Sequence, residues 1–402
     1  MSKIFEKTKQ AFDLPAGMIY LDGNSLGPMC HASRARLVDE MDNQWSKRLI
    51  GGWNESGWYH LSQTVGDKIA ALIGAPIGSV TAVDSTSINL YKSLHAALSL
   101  NSERRVILSD KSNFPSDLYV AQGIVEQLNK HAVQPFTLKI VEAQEIVQAI
   151  DESVAVVMVT QVDYATGRIL PIADIVKKAL HYGAKTILDL CHSAGALEVD
   201  LVGLNVDFAI GCGYKYFNGG PGAPAFIYVK AEHLAKIEPV LNGWMGHARP
   251  FDFDLKYRPA NSINKMRVGT PSILGLASLD AALDVWQGVS LKQVRKRSIE
   301  LSELFIQEIS KHTDELMLAS PIDPQLRGSQ VSFRFDQGYA LVQALIAQGV
   351  VGDFRMPNIV RFGITPLYLG EADIVNACEK IVLVLEQRLW DQPQFKVRSA
   401  VT

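Results

Sequence analysis

Asp189, His192, Tyr214 and Lys215 are the residues of this chain whose types and spacing could do chemistry. The apolar run Thr186-Ile187-Leu188 ends in Asp189 and is followed by Cys191, His192 and the small residues Ser193-Ala194-Gly195. It reads as a buried strand that delivers a carboxylate to its C-terminal end. A second apolar strand, Val206 to Ile210, breaks into Gly211-Cys212-Gly213-Tyr214-Lys215-Tyr216 and the loop Asn218-Gly219-Gly220-Pro221-Gly222. An acid and an amine thus stand at the ends of consecutive strands, on the side where open α/β sheets bind ligands.

That pairing suits pyridoxal phosphate. The cofactor needs an amine to hold its aldehyde as a Schiff base and a carboxylate beside the ring nitrogen to keep that nitrogen protonated, which makes the ring an electron sink. Burial or a neighbouring cation favours the neutral, nucleophilic form of a lysine, and the glycines around Lys215 would let a ring lie close to the backbone. The Tyr214 hydroxyl could reach a phosphate. Taken singly, a strand-end Asp is usually a helix cap or turn residue, and a Lys near glycines a solvated loop charge. The conjunction with His192 favours a cofactor site.

With 402 residues, 48% of them apolar, the chain can fill a large core divided into two or three domains. Its 39 basic and 42 acidic residues leave a net charge of -3, with no block of like charge to suggest nucleic acid or an anionic membrane as a partner. Cys30, Cys191, Cys212 and Cys378 form no CxxC pair, which argues against a disulfide framework and a zinc site. No metal is expected. The stretch Met1 to Glu6 lacks the apolar core of a signal peptide and no run reaches the ~20 apolar residues that cross a bilayer, so a cytoplasmic protein is expected.

The elements that must position these residues alternate along the chain. Strands are predicted at Met18 to Leu21, Val106 to Leu108, Phe136 to Ile140, Val154 to Thr160 and Phe226 to Val229. Helices are predicted at Ser33 to Lys47, His60 to Ile73, Asp84 to Leu100, Ser116 to Asn129, Ala143 to Ile150, Ile172 to Tyr182 and Ile273 to Trp286. Strands separated by helices imply a mainly parallel sheet covered on both faces. The hydroxyls of Ser85-Thr86-Ser87, after Asp84, open a helix, where they can cap it or, with its free amides, bind phosphate. Phe114-Pro115-Ser116-Asp117 and Thr160 follow strands and face the same crevice. Gly51 to Trp58 reads as a loop carrying two tryptophans, either surface packing or a stacking wall. Past a long helix from Ser290 to Lys311, strands at Gln330 to Phe335 and Ile359 to Gly363, with helices at Tyr339 to Gln348 and Glu371 to Trp390, make a smaller α/β domain. The expected division is an N-terminal arm over 1–59, a large cofactor domain over 60–288 and a small domain over 289–402. No GxGxxG opens the first strand-to-helix turn and no GxxxxGK[ST] is present, which weakens nicotinamide and nucleotide readings.

Tyr214-Lys215 with Asp189 and His192, the Phe114 to Asp117 run, Gly243-Trp244-Met245-Gly246-His247, Asn24-Ser25-Leu26-Gly27 and Arg361 before Pro366-Leu367-Tyr368 together resemble the kynureninase family over nearly the whole chain. The resemblance implies a fold-type-I pyridoxal phosphate enzyme with a seven-stranded, mainly parallel sheet flanked by helices. It also implies that Lys215 carries the cofactor, Asp189 meets its ring nitrogen and Phe114 stacks on its ring. Thr86, Ser87, Asp117, Thr160, His192 and Tyr214 would surround the phosphate and polar edges, and Trp244 and Thr270 would arrive from the other subunit of a homodimer. Some relatives carry Asn in place of Thr270, and animal members place a histidine-containing loop near Trp53.

The implied reaction is hydrolytic cleavage of the Cβ–Cγ bond of L-kynurenine to anthranilate and L-alanine, in tryptophan catabolism or on the way to NAD. Lys215 would act as base at Cα, Tyr214 as proton donor and acceptor, and Arg361 as a two-pronged holder of the α-carboxylate. Arg361 as a strand-end salt bridge is the structural alternative. Ser25 and Trp53 would lie along the substrate. The rivals are a cysteine desulfurase or aminotransferase of the same fold, or a non-catalytic pyridoxal phosphate protein; a desulfurase would need a mobile reactive cysteine, whereas Cys378 falls inside a predicted helix. Gly51 to Gly57 holds no histidine to pair a ring hydroxyl, so L-kynurenine is expected to be preferred over 3-hydroxykynurenine.

Overall fold

The computed structural model describes residues 3–399. Met1 and Ser2, at the head of the segment read for a signal peptide, lie outside the described residues.

The central sheet has seven strands in the spatial order 80–82, 226–229, 208–211, 185–189, 154–160, 106–110 and 137–141. Only Phe226–Val229 runs antiparallel to its neighbours. The strand Val154–Thr160 is buried along its whole length, because helices cover both faces. Its successive side chains serve different cores: Val157 and Val159 pack with Ile175 and Leu188, and Met158 packs with Leu90, Ile107 and Ile124. Register places Thr160 beside Asp189 and Asp189 beside Ile210, so the polar residues at these strand ends are neighbours by construction.

A second sheet of four antiparallel strands runs in the order 353–355, 359–363, 330–334 and 317–318. Helices Leu291–His312, Gly338–Ala347 and Glu371–Glu386 accompany it. The N-terminal arm belongs with this part of the molecule, since Ile19 and Tyr20 pair in parallel with Val350 and Val351. Beyond that pair the arm turns across to the lysine loop. Leu21 O accepts from Gly363 N at 2.6 Å, and Gly27 N donates to Tyr214 O at 2.8 Å. A Cβ at Gly27 would stand 2.3 Å from Lys215 O and 2.7 Å from Asn218 Cα, so only glycine lets the arm pass this close to the lysine.

Several local expectations change. Ala143 to Ile150 is not a helix: only Ala143–Glu145 forms a 3₁₀ turn, closed by reciprocal bonds between Glu142 and Glu145. Gly51 to Trp58 is not an open loop either. Gly52–Glu55 is a helical turn, and Gly57, with φ +73°, leads directly into the helix Trp58–Leu72. Trp58 is buried and donates from Nε1 to the buried Glu40 carboxylate at 2.9 Å, which places it in the core. The helix that starts at Glu371 stops at Glu386, short of Trp390, and a four-residue helix follows over Pro393–Lys396. Ser33 to Lys47 is helical as expected, with a π-helical segment over Glu40–Trp45.

Candidate active site

The strand ends and two helix N-termini enclose a cavity of about 110 Å³ lined by Thr86, Ser87, Phe114, Ser116, Asp117, Thr160, Tyr164, Asp189, Cys191, His192, Tyr214 and Lys215. Nine residues expected around a cofactor therefore converge on one space; of these, Asp189 and Lys215 carry the chemistry argued from sequence.

Their electrostatics are tightly balanced. Asp189 is buried and accepts from Cys191 N at 2.7 Å. Asp117, also buried, has its carboxyl pushed well above the usual range, first by burial and then by the charge of Asp189. Two carboxylates cannot both ionise cheaply in such a place, so one proton stays at Asp117. Lys215 Nζ lies 2.9 Å from His192 Nε2. Burial, then the positive charge of Lys215, holds His192 well below the usual imidazole range, so the ring is neutral and able to accept from the ammonium. A neutral ring accepting at Nε2 carries its proton at Nδ1. His192 Nδ1 and Asp117 Oδ2 are buried and have no hydrogen-bond partner among the described residues. Burial raises the Tyr214 phenol above its ordinary range, so it is held protonated as a donor.

The other end of the cavity suits an anion. The helix Thr86–Ser99 is capped by Ser85, whose side chain accepts from Ile88 N, so Thr86 and Ser87 are not needed as caps and their amides have no intrahelical partner. This helix packs across the strands 154–160, 185–189 and 208–211, which brings its N-terminus over their ends. The helix Pro115–Asn129 starts beside it, with Ser87 Oγ and Ser116 Oγ 3.0 Å apart. Two helix N-termini and three hydroxyls are a ready seat for a phosphate. Phe114 is partly exposed and meets Tyr164 edge-on at 5.1 Å, which leaves its ring available as a wall. Amine, buried carboxylate, aromatic wall, phosphate seat and orphaned polar atoms together fit pyridoxal phosphate.

The remaining expected residues lie outside this cavity. Arg361 and Ser25 stand one residue behind it: Arg361 Nη1 donates to Tyr164 O at 2.6 Å and Nη2 to Ser25 Oγ at 3.1 Å. The edge of Arg361 expected to grip a substrate carboxylate holds Asp353 instead, with Nε on Oδ1 at 2.6 Å and Nη2 on Oδ2. The salt-bridge reading is thus correct for that edge. Trp244 packs edge-on against Phe251 at 5.7 Å, and Thr270 lines a separate cleft with Asp84 and Gly222, so neither reaches the lysine of its own chain. Trp53 packs edge-on against Trp58 at 6.1 Å and does not line the cavity. Tyr164, Cys191 and Asp353 were missed from sequence, and Ser116 was placed at the crevice without a role. Ser116 and Cys191 had a signal, sitting beside assigned residues; Tyr164 and Asp353 are joined to the site only by the folded chain.

The family description of the kynureninase C-terminal domain matches residues 294–381. The chain is 43% identical over 401 residues to a kynureninase of Pseudomonas fluorescens, covering 98% of this chain and 95% of the relative. It is 46% identical to a kynureninase of Deinococcus radiodurans, covering 94% and 92%. The chain belongs to the kynureninase family. In fold this kynureninase relative is similar to a cysteine desulfurase from Thermococcus onnurineus NA1, with a TM-score of 0.78 at 18% identity over 95% of this chain and 97% of that one. A cysteine desulfurase from Escherichia coli gives 0.77 at 18% identity over 96% and 98%. These likenesses extend to the fold alone. All four cysteines are buried, and burial pushes the Cys378 thiol up to about 12, which keeps it inert at neutral pH.

Replacing Asp189 with alanine removes a buried charge-assisted contact, a loss typically of about 3 kcal/mol or roughly a hundredfold in rate. Asp189→Ala should keep bound cofactor, seen by absorbance, through the phosphate seat while losing most turnover. Near-normal turnover would make Asp189 a structural residue.

Proposed function

We infer that the protein is a pyridoxal phosphate-dependent hydrolase that cleaves the Cβ–Cγ bond of L-kynurenine, adding water to give anthranilate and L-alanine. The observation that carries this reading is the near-full-length identity to kynureninases, joined to a cavity that collects Lys215, Asp189, His192 and Tyr214.

The cofactor, when bound, supplies the electron sink that lets the bonds at the amino acid's Cα and Cβ ionise. The chain's own residues do the rest. Lys215 is the amine that would hold the cofactor, and once released it is a base at Cα, with the neutral His192 Nε2 available to receive a proton from it. Asp189 is the carboxylate for the ring nitrogen. Thr86 and Ser87 would hold the phosphate by their hydroxyls and amides, and Thr160, Asp117 and Phe114 would bound the ring. Tyr214, protonated by burial, donates to the carbon or oxygen that gains charge as Cβ–Cγ breaks. Arg361 is assigned to the α-carboxylate through the one Nη1 hydrogen its fold contacts leave, and Ser25 and Trp53 are assigned to the substrate side.

We further read the protein as a cytoplasmic homodimer serving tryptophan breakdown, divided into the arm 1–59, the cofactor domain 60–288 and the small domain 289–402. Supporting the dimer, Trp244 is 36% exposed and Thr270 is exposed, and both stand away from their own chain's lysine, as residues serving a neighbour's site would. The strand pairing of Ile19 and Tyr20 supports assigning the arm to the small domain. Among the described residues no helix is long and apolar enough to cross a membrane.

Equimolar L-kynurenine and 3-hydroxykynurenine in one incubation should yield anthranilate in excess over 3-hydroxyanthranilate, with L-alanine equal to their sum. The expected excess is about five- to hundredfold, the effect of burying an unpaired hydroxyl. Absence of both aromatic products overturns the function; an equal or reversed ratio overturns only the ring-pocket reading. For the dimer, Lys215→Ala and Trp244→Ala chains are mixed under conditions of demonstrated subunit exchange. Activity should recover, because one site collects both lesions and the other none; no recovery places both residues in one chain's site.

A further inference from the structure

Arg361 has five N–H donors, and the fold commits four of them. Nε and one hydrogen of Nη2 go to the buried Asp353, its cross-strand register partner. The second hydrogen of Nη2 goes to Ser25 Oγ and one of Nη1 to Tyr164 O. A single hydrogen, on Nη1, is left. A carboxylate has two oxygens and four lone-pair sites, so Arg361 alone cannot grip it from both sides without breaking a bond it already makes.

A second guanidinium stands beside it. Arg355 Nη2 lies 2.9 Å from Asp353 Oδ2, the same oxygen that accepts from Arg361 Nη2 and, at 2.7 Å, from Ser25 Oγ. Arg355 is otherwise lightly committed: Nη1 donates to Phe354 O at 2.9 Å and its side chain is 37% exposed, whereas that of Arg361 is 2% exposed. The two arginines flank one carboxylate, and both depress the proton affinity of His192 in the lysine cavity, after burial and Lys215, so Arg355 is within electrostatic reach of that cavity. The local charge also favours an anion. Burial and the charge of Asp353 raise Asp22 to about 7, so at and below neutral pH much of it is uncharged, and two guanidinium groups face one full carboxylate.

We propose that Arg355 is a second substrate-binding residue, which together with the free Nη1 hydrogen of Arg361 receives the α-carboxylate of the amino-acid substrate. The proposal rests on the reading of Arg361 given above and divides the carboxylate's two oxygens between two arginines. Asp353 and Ser25 hold the Arg361 plane in place, and Arg355, held by Nη2 on Asp353 and Nη1 on Phe354 O and partly exposed, turns its remaining donors onto the carboxylate as it arrives.

The test compares L-kynurenine with its decarboxylated analogue, which keeps the aryl ketone and amine but lacks the α-carboxylate and is used as a competitive inhibitor of the holoenzyme. Arg355→Gln should raise KM for L-kynurenine about ten- to hundredfold, the effect of one charge-assisted hydrogen bond. It should leave kcat within about twofold and Ki of the analogue unchanged, and Arg355→Lys should recover part of the KM. Arg361→Gln is run beside it. If Arg361→Gln weakens the substrate selectively and Arg355→Gln does not, Arg355 lies outside the carboxylate site and the proposal falls alone. If Arg361→Gln weakens both ligands equally, the assignment of Arg361 falls and the proposal with it. If Arg355→Gln weakens substrate and analogue in parallel, its role is structural and the proposal is overturned.

Discussion

Two buried carboxyls, Asp189 and Asp117, share a cavity with an ammonium and a neutral imidazole, and much of this structure can be understood as the means of keeping that arrangement tolerable. Removing a charge from water costs several kcal/mol unless partners replace the solvent. Here the replacements are Cys191 N on Asp189, a retained proton on Asp117, and His192 Nε2 on Lys215. The balance depends on register. Because Thr160, Asp189 and Ile210 are register partners across parallel strands, a slip by one residue would turn Asp189 to the opposite face of the sheet.

The rest of the fold serves that balance from outside. The helix that begins at Thr86 crosses the sheet so that its N-terminus looks down on the strand ends, and the helix from Pro115 arrives beside it. The small sheet carries Arg361 and Asp353 up to Tyr164, and the N-terminal arm fastens both to the lysine loop through Leu21, Ser25 and Gly27. Cation, anion and lysine are therefore connected by backbone segments with little freedom to drift. A substrate held at its carboxylate by this sheet is held at a set distance from Lys215, which is how positioning becomes rate.

Much of this was legible in the sequence where the apolar pattern is regular. Val154 to Thr160, Ile172 to Tyr182, Phe226 to Val229 and Ile359 to Gly363 have the predicted bounds, since an uninterrupted apolar run or a clean helical stripe ends where the polar residues begin. Most cofactor-facing residues were legible because they end or follow the strands 106–110, 154–160, 185–189 and 208–211. Three things were not. The stretch after Glu142 has helical periodicity, yet the chain leaves it after one 3₁₀ turn, too short a segment to repay nucleation. Gly51 to Trp58 reads as a loop, yet Gly57 supplies the left-handed residue from which a helix starts, which hid the burial of Trp58. The engagement of Arg361 with Asp353 depends on a three-residue strand, Asp353–Arg355, visible only through its cross-strand pairing.

The central claim is that Lys215, facing Asp189 across the strand ends, is the amine that carries the cofactor. Borohydride reduction of the pyridoxal phosphate-loaded protein, followed by digestion and mass mapping, measures this directly. The account predicts one modified peptide, the one containing Lys215, and none in a Lys215→Ala chain treated the same way. Stoichiometric label on a different lysine of the unaltered protein would contradict it and with it the roles assigned to Asp189, His192 and Tyr214.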